Sequence, residues 1–164
     1  MNKKIILIYH LSILLVFGMS HTILGLPIDL VYKKILICTF CFVKTVFFLI
    51  NVVKKEVDIF ENKSYADDTQ YSLILFSVFL IIISYSLDYF LLYTCDIGCF
   101  QPLLKQDNAL LLFWNSFYYS SMIFFWMGIA DINVSCATGQ FITWAESMVT
   151  FFILSYGTFK FLRS

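Results

Sequence analysis

The residues from Asn115 to Ile132 are the part of the chain whose types and order could do chemistry. They read NSFYYSSMIFFWMGIADI, which is a short aromatic and apolar helix, a turn containing Gly128, and the acid Asp131. A long apolar run follows them. Non-helical backbone at membrane depth is tolerated only where protein buries it or where it lines a watery cavity. The segment therefore predicts a pathway through a membrane rather than a plain anchor.

Two further ionisable residues fall inside long apolar runs, where such residues are functional candidates by default. Lys44 and Asp88 could pair across two antiparallel helices. Alternatively, Lys44 snorkels to the membrane surface and Asp88 lies near the interface. Their depths differ by several residues, which favours the second interpretation. A single lysine does not make a voltage sensor, which needs several regularly spaced cations.

The composition indicates an integral membrane protein. Apolar residues make up 60% of the chain and charged residues 13%, whereas soluble domains have roughly 45–50% and about 25%. A spanning helix needs about 20 mostly apolar residues. Four stretches qualify: Ile5 to Leu26, Ile35 to Val53, Tyr71 to Thr94, and Gly139 to Phe159. A fifth run, Ala109 to Phe124, is too short for a full crossing at about 1.5 Å per residue.

The expected fold class is therefore all-α and integral to the membrane, with four transmembrane helices. A re-entrant pore helix and a filter loop lie between the third and the fourth. The polar stretch Lys54 to Gln70 is expected to be a loop. The formal net charge is zero, so no basic surface indicates nucleic acid.

Lys and Arg residues set the expected orientation, because they concentrate on the cytoplasmic side. With a cytoplasmic N-terminus, most of them lie inside: Lys3, Lys4, Lys54, Lys55, Lys63, Lys160 and Arg163. Lys33, Lys34 and Lys105 lie outside. We expect a multi-pass protein of the plasma or inner membrane with both termini in the cytoplasm. The start also resembles a secretory signal, but its apolar run continues to Leu26 without a cleavage site, which favours an uncleaved helix.

From Tyr71 onward the chain resembles the pore domain of tetrameric potassium channels. The common pattern of that family reads approximately D-A-L-Y-F-S-x-x-T-x-T-T-V-G-Y-G-D-I. Without gaps, Asn115 aligns with the first acid, Tyr118 and Ser120 with the aromatic residue and the serine, Gly128 with the first filter glycine and Asp131 with the filter acid. Gly139 and Glu146 match a glycine that opens the inner helix and a glutamate seven residues later.

Two domains are expected, and the resemblance covers the second of them and leaves the first two helices unexplained. Residues 1–70 would form a two-helix membrane hairpin with a cytoplasmic loop, and residues 71–164 the outer helix, turret, pore helix, filter and inner helix. The conduction filter would comprise Trp126, Met127, Gly128, Ile129, Ala130 and Asp131. Asn115, Tyr118, Ser120 and Glu146 would support it, and Gly139 would start the inner helix.

Each of the two acids has an alternative interpretation. Asp131 would form a ring at the outer mouth that concentrates cations, or it is an ordinary loop acid beside a helix. Glu146 would support the back of the filter through hydrogen bonds, or it is simply a carboxyl kept neutral by burial.

The filter departs from the family pattern. Potassium filters use rings of backbone carbonyls and threonine hydroxyls, but Phe125 and Trp126 replace the tandem threonines. Ala130 replaces a glycine, and alanine in a left-handed conformation costs about 1–2 kcal/mol. The resemblance therefore implies a non-selective, modified or closed pore, or a subunit that mixes with a more orthodox partner. The mid-helix glycine hinge of the family aligns with Thr150, so gating by a bend there is not supported.

Five cysteines are present. Cys38 and Cys41 form C-x-x-C inside an apolar helix, which argues against a zinc or redox motif. Cys95 and Cys99 fall in the expected outer turret and could form a local disulfide if that side is oxidising. Cys136 is also expected outside and could compete for the pairing.

Three functions are compared on this basis. The first is a divergent pore-loop cation-channel subunit, a homotetramer or a hetero-oligomer with related subunits, that passes monovalent cations passively across the lipid bilayer. The second is a non-conducting accessory or structural subunit of a larger membrane complex. The third, a membrane enzyme, is disfavoured because the sequence shows no metal-ligand spacing, activated nucleophile or phosphate loop. No cofactor and no metal are expected.

Overall fold

The computed structural model describes residues 27, 29–61, 68–101, 108–127 and 132–161. These residues contain the helices α1 (Leu30–Glu61), α2 (Asp68–Cys95), α3 (Ala109–Phe124) and α4 (Ala137–Phe161). A short 3-10 turn, Ile97–Cys99, follows α2, and two strands flank α3: β1 (Phe100–Gln101) and β2 (Asn133–Val134). The described part of the chain is thus mostly helical, as predicted. The first predicted span, Ile5 to Leu26, lies outside it.

The helices are longer than their apolar runs. The prediction of a loop from Lys54 to Gln70 is wrong over much of its length, because α1 continues to Glu61 and α2 begins at Asp68. Lysine and glutamate are good helix formers, so a change from apolar to polar residues does not by itself end a helix. The helix α4 starts at Ala137, two residues before the predicted Gly139.

The bounds of α3 agree with the prediction, and a cap explains its start. Asn108 has an extended backbone, with φ −106° and ψ 112°. Its side-chain oxygen accepts a hydrogen bond from the backbone N–H of Leu110 at 2.9 Å. Asparagine is among the best residues for this position, because it satisfies one of the unpaired N–H groups of the first turn.

The helix α2 runs antiparallel to α1. Lys34, near the start of α1, forms an ion pair with Asp96, just after the end of α2. The helix α2 packs against α3, and α1 packs against α4. Large side chains from α2 and α4 contribute to the core of the bundle. The fully buried ones include Tyr85, Leu92 and Val149.

A two-stranded antiparallel ladder closes one end of this bundle, with Phe100 opposite Val134 and Gln101 opposite Asn133. We call this end the ladder end. The prediction of a purely helical chain missed the ladder, because strands of two residues are too short to show an alternating pattern.

The segment between the two strands leaves the ladder end and comes back to it. The helix α3 runs antiparallel to α2, since Phe113 contacts Phe90 near its start and Ser120 contacts the carbonyl of Ile82 further along. By Asn133 the chain is paired with β1 again. We call the described residues of this segment, 109–127 and 132, the return hairpin.

Among the described residues, one helical window is long and apolar enough to cross a membrane. It is Val78–Cys95 in α2, with a mean hydropathy of 1.7. The helices α1 and α4 also exceed 18 residues, and Lys44 and Glu146 lie within them.

Candidate functional site

A buried carboxylate joins three helices behind the return hairpin. Glu146 lies on α4 and is fully buried. Its Oε1 is 2.5 Å from Ser120 Oγ of α3, and its Oε2 accepts a hydrogen bond from the Tyr89 hydroxyl of α2 at 2.9 Å. Ser120 Oγ also lies 3.0 Å from the carbonyl oxygen of Ile82. We call Glu146, Ser120 and Tyr89 the latch.

Hydroxyl groups extend the latch toward the ladder end. Thr143 Oγ1 lies 3.2 Å from the Tyr89 hydroxyl and 3.3 Å from the Tyr119 hydroxyl. The rings of Tyr89 and Tyr119 meet edge to face, with centroids 4.8 Å apart. Edge-to-face aromatic pairs add about 0.5–1.5 kcal/mol beyond their buried area. The return hairpin is therefore held by polar and aromatic contacts on the same face of α3.

The structure brings two of the predicted support residues together, namely Ser120 and Glu146. Their service to an ion filter stays a prediction. Asn115 is half-buried and lines a cavity of about 10 Å³ beside Ile132, which is room for about one water molecule. Tyr118 is 39% exposed, and it is the adjacent Tyr119 that contacts the latch.

Gly139 lies where β2 and α2 approach the first turn of α4. A Cβ atom at this position would be 2.1 Å from Val134 Cγ1 and 3.2 Å from Leu92 Cδ2. No side chain fits at 2.1 Å, so the chain needs glycine here for close packing. The prediction located this glycine at the start of the inner helix, and the structure gives it this packing reason.

Trp126 lies two residues after the end of α3 and has an unusual backbone conformation. Its φ is 55°, in the left-handed region that non-glycine residues rarely adopt. Its N–H donates to the carbonyl of Ile123 at 3.1 Å, and the N–H of Met127 donates to that of Met122 at 3.2 Å. These two bonds form a Schellman motif, in which glycine usually takes the left-handed position. The indole stacks on the Phe151 ring, with centroids 6.4 Å apart.

The remaining predicted filter residues, Gly128, Ile129, Ala130 and Asp131, lie outside the described residues. Of the predicted filter, the structure describes Trp126 and Met127, and both are exposed, at 61% and 65%. The helix α3 thus ends just before the two positions at which the family pattern has its threonines. The bulky side chains of Phe125 and Trp126 occupy those positions.

Lys44 and Asp88 form a buried ion pair between α1 and α2, so the interpretation of a snorkelling lysine is wrong. Their residue exposures are 5% and 1%. Lys44 Nζ also donates to the carbonyl of Ser84 at 3.1 Å. Side chains lean toward the N-terminus of their helix, and in antiparallel helices this brings the two residues toward each other. The depths predicted for the two residues from their backbone positions did not include this lean of the side chains.

The disulfide joins Cys99 to Cys136, so the prediction of a Cys95–Cys99 pair is wrong and Cys95 is a free thiol. The ladder explains the choice of partner. Ser135 N–H donates to the carbonyl of Cys99 at 2.9 Å, which brings the residue after it beside Cys99. The bond closes a loop that contains the whole return hairpin.

We expect Cys136→Ser to lower the free energy of unfolding by about 4 kcal/mol, because the lost cross-link closes a loop of 37 residues. Chemical unfolding in detergent, with peptide mapping under non-reducing conditions, measures both stability and pairing. Cys95→Ser is the matched control and should leave both unchanged. A mapped Cys95–Cys99 peptide in the wild-type protein would contradict the pairing.

The signals that the sequence reasoning missed were weak ones. Tyr89 and Thr143 carry no motif and are ordinary residues of apolar helices. Within the described part of the chain, no three His, Cys, Asp or Glu side chains come together as a metal site.

The chain was also compared with known proteins. No family model, no curated protein and no solved structure matches it.

Proposed function

We propose that the chain is a multi-pass membrane subunit of a pore-loop cation channel, in which the return hairpin contributes part of a passive ion pathway. The return hairpin is the observation that carries this proposal. Its helix α3 has 16 residues, about 24 Å at 1.5 Å per residue. A crossing needs about 30 Å. A half-length helix that returns to the end it left fits a pore loop better than an anchor.

The packing of the hairpin supports the same proposal. Irregular backbone at membrane depth must be covered by protein or face water. The latch and the Tyr89–Tyr119 contact hold one face of α3 against α2 and α4. The opposite side of its C-terminal end, at Phe125 and Trp126, is exposed. The C-terminal half of α3 therefore has a braced side and an open side, as the support of a filter needs.

The helix dipole of α3 favours cations at that open side. The C-terminal end of a helix carries the equivalent of about half a negative charge, and α3 ends at Phe124. Channels use oriented half-helices and rings of acidic side chains to select the sign of the ion. Asp131, which follows in the sequence, would add an acidic ring at the outer mouth.

Two independent signals support an outward ladder end. Disulfides persist in oxidising compartments, and Cys99–Cys136 lies at the ladder end. Lys54 and Lys55 lie in the far part of α1, at the opposite end of the bundle, which is the cytoplasmic side by the positive-inside rule. The same orientation follows from the predicted cytoplasmic termini.

One chain supplies one return hairpin, so a closed pore needs several copies. We propose a homotetramer, or a hetero-oligomer with related subunits. Apolar side chains around the open side are exposed and available for neighbours or lipid, among them Met127, Trp144, Met148 and Phe151.

Native mass spectrometry of the detergent-purified chain tests the assembly, and we expect four copies. In liposomes, Asp131→Asn should then lower the cation current several-fold at low ionic strength, because a charged mouth raises the local cation concentration and salt screens it. Asp29→Asn is the matched control, since Asp29 is an exposed acid at the start of α1. Equal currents in the two variants would contradict the assignment of Asp131 to the outer mouth.

Trp126 favours a second candidate, a non-conducting accessory subunit of a larger membrane complex. Its indole is 61% exposed at the end of α3, where the potassium-channel pattern has a small hydroxyl side chain. A ring of indoles at that position would narrow a pathway. One copy bound to unlike chains in the mass spectrum would select this candidate over the channel.

A further inference from the structure

The buried Lys44–Asp88 pair lies on a face of α2 that neighbours the face of the latch, about a quarter turn away at 3.6 residues per turn. Lys44 Nζ contacts the Asp88 carboxylate and the carbonyl of Ser84. It also lies 4.1 Å from the centroid of the Tyr85 ring, in the range of a cation–π contact. The Tyr85 hydroxyl is 2.7 Å from Thr45 Oγ1. The helix α1 is thus attached to two turns of α2 by polar contacts in a dry interior.

The latch uses the same two turns of α2 from the neighbouring face. The carbonyl of Ile82 contacts Ser120 of α3, and Tyr89 donates to Glu146 of α4. The residues of α2 that contact α1 therefore lie between the two residues that contact the latch helices. A rotation or a shift of this part of α2 moves both sets of contacts together.

Ion pairs of this kind are rarely retained for stability alone. Replacing a buried pair by apolar residues of similar volume is often neutral or stabilising. The directional contacts of Lys44, to a carboxylate, a carbonyl and a ring face, instead fix one register of α1 on α2. An apolar contact surface would allow neighbouring registers, since hydrophobic attraction has no direction.

We infer that Lys44 and Asp88 are positioning residues for the return hairpin: by fixing the register of α1 on α2 they set where Tyr89 meets Glu146 and where the Ile82 carbonyl meets Ser120. The inference rests on the proposed function, because it gives α1 a role in positioning the hairpin that would line the pore. The contacts from which it is argued do not depend on ion flow. It assigns the N-terminal part of the chain a role in controlling the hairpin.

Amide hydrogen exchange of the full chain in lipid nanodiscs tests the inference. Lys44→Met combined with Asp88→Leu removes the pair without leaving an unpaired charge. We expect exchange in residues 109–127 to rise at least about fivefold, the lower end of ordinary coupling between sites. The reversed pair, Lys44→Asp with Asp88→Lys, should restore most of the protection.

The control is Ile37→Ala, which loosens the buried packing of α1 and leaves the ion pair in place. It should raise exchange in α1 and not in the return hairpin. The inference is overturned if the double variant affects α1 alone, if Ile37→Ala affects the hairpin equally, or if neither pair variant folds, since the pair would then be a general stability element. A chain that passes no current but shows the expected exchange would overturn the proposed function and keep this inference.

Discussion

Lys44→Met should lower the free energy of unfolding by about 3–5 kcal/mol, because the substitution leaves the Asp88 carboxylate buried without its cation. Asp88 is 1% exposed, so water cannot replace the lost ammonium group. Its other oxygen, Oδ1, already lacks a hydrogen-bond partner among the described residues. The carboxylate therefore depends strongly on Lys44.

Chemical unfolding in detergent micelles measures this loss, and the chain offers a matched control. Lys34→Met makes the same change at the Lys34–Asp96 pair, whose side chains are 27% and 24% exposed. Exposed pairs contribute about 0–1 kcal/mol. Lys44→Met combined with Asp88→Leu should recover most of the stability. A cost at Lys44 no larger than at Lys34 would show that the pair is solvated in the folded protein.

Glu146→Ala should cost about 3 kcal/mol, because it removes the acceptor that the Ser120 and Tyr89 hydroxyls share and opens a cavity. In the channel interpretation, it also releases the back of the return hairpin from α4. We therefore expect the cation current in liposomes to be lost or to lose its ion preference.

Glu146→Gln separates the hydrogen bonds from the charge. The amide has nearly the shape of the carboxyl group and keeps one acceptor oxygen, and its NH₂ can donate to Ser120 Oγ. We expect a cost of about 1 kcal/mol and a retained current. If Glu146→Gln abolished the current while the protein stayed folded, the carboxyl charge itself would act on the ions, which the latch geometry does not require.

Local sequence patterns predicted α3 well. The predicted bounds from Ala109 to Phe124 follow from the apolar run, and the structure adds a capping asparagine before it. The structure brings Ser120 and Glu146 into contact, and the support of a filter that the family resemblance implied for them stays a prediction. Neither residue would stand out by composition alone, since a serine and a glutamate in apolar helices have many explanations.

Contacts between segments that are distant in the sequence were harder to predict. The disulfide partner of Cys99 depends on the register of a ladder with two residues in each strand, which leaves no pattern in the sequence. The Lys44–Asp88 pair depends on the tilt of two side chains toward each other. The contribution of Tyr89 depends on which face of α2 meets α4. Each of these is fixed by packing in three dimensions and not by residues close in sequence.

In the multi-pass arrangement that we propose, the buried ion pair also has a consequence for how the chain enters a bilayer. A lysine or an aspartate near the middle of a helix costs about 2.5–3.5 kcal/mol on insertion scales. The helix α1 carries Lys44 and α2 carries Asp88, so the insertion of either helix alone carries this cost. Together they neutralise each other before either meets lipid. The two helices are therefore expected to insert as one unit, with α1 waiting for α2 to be synthesised.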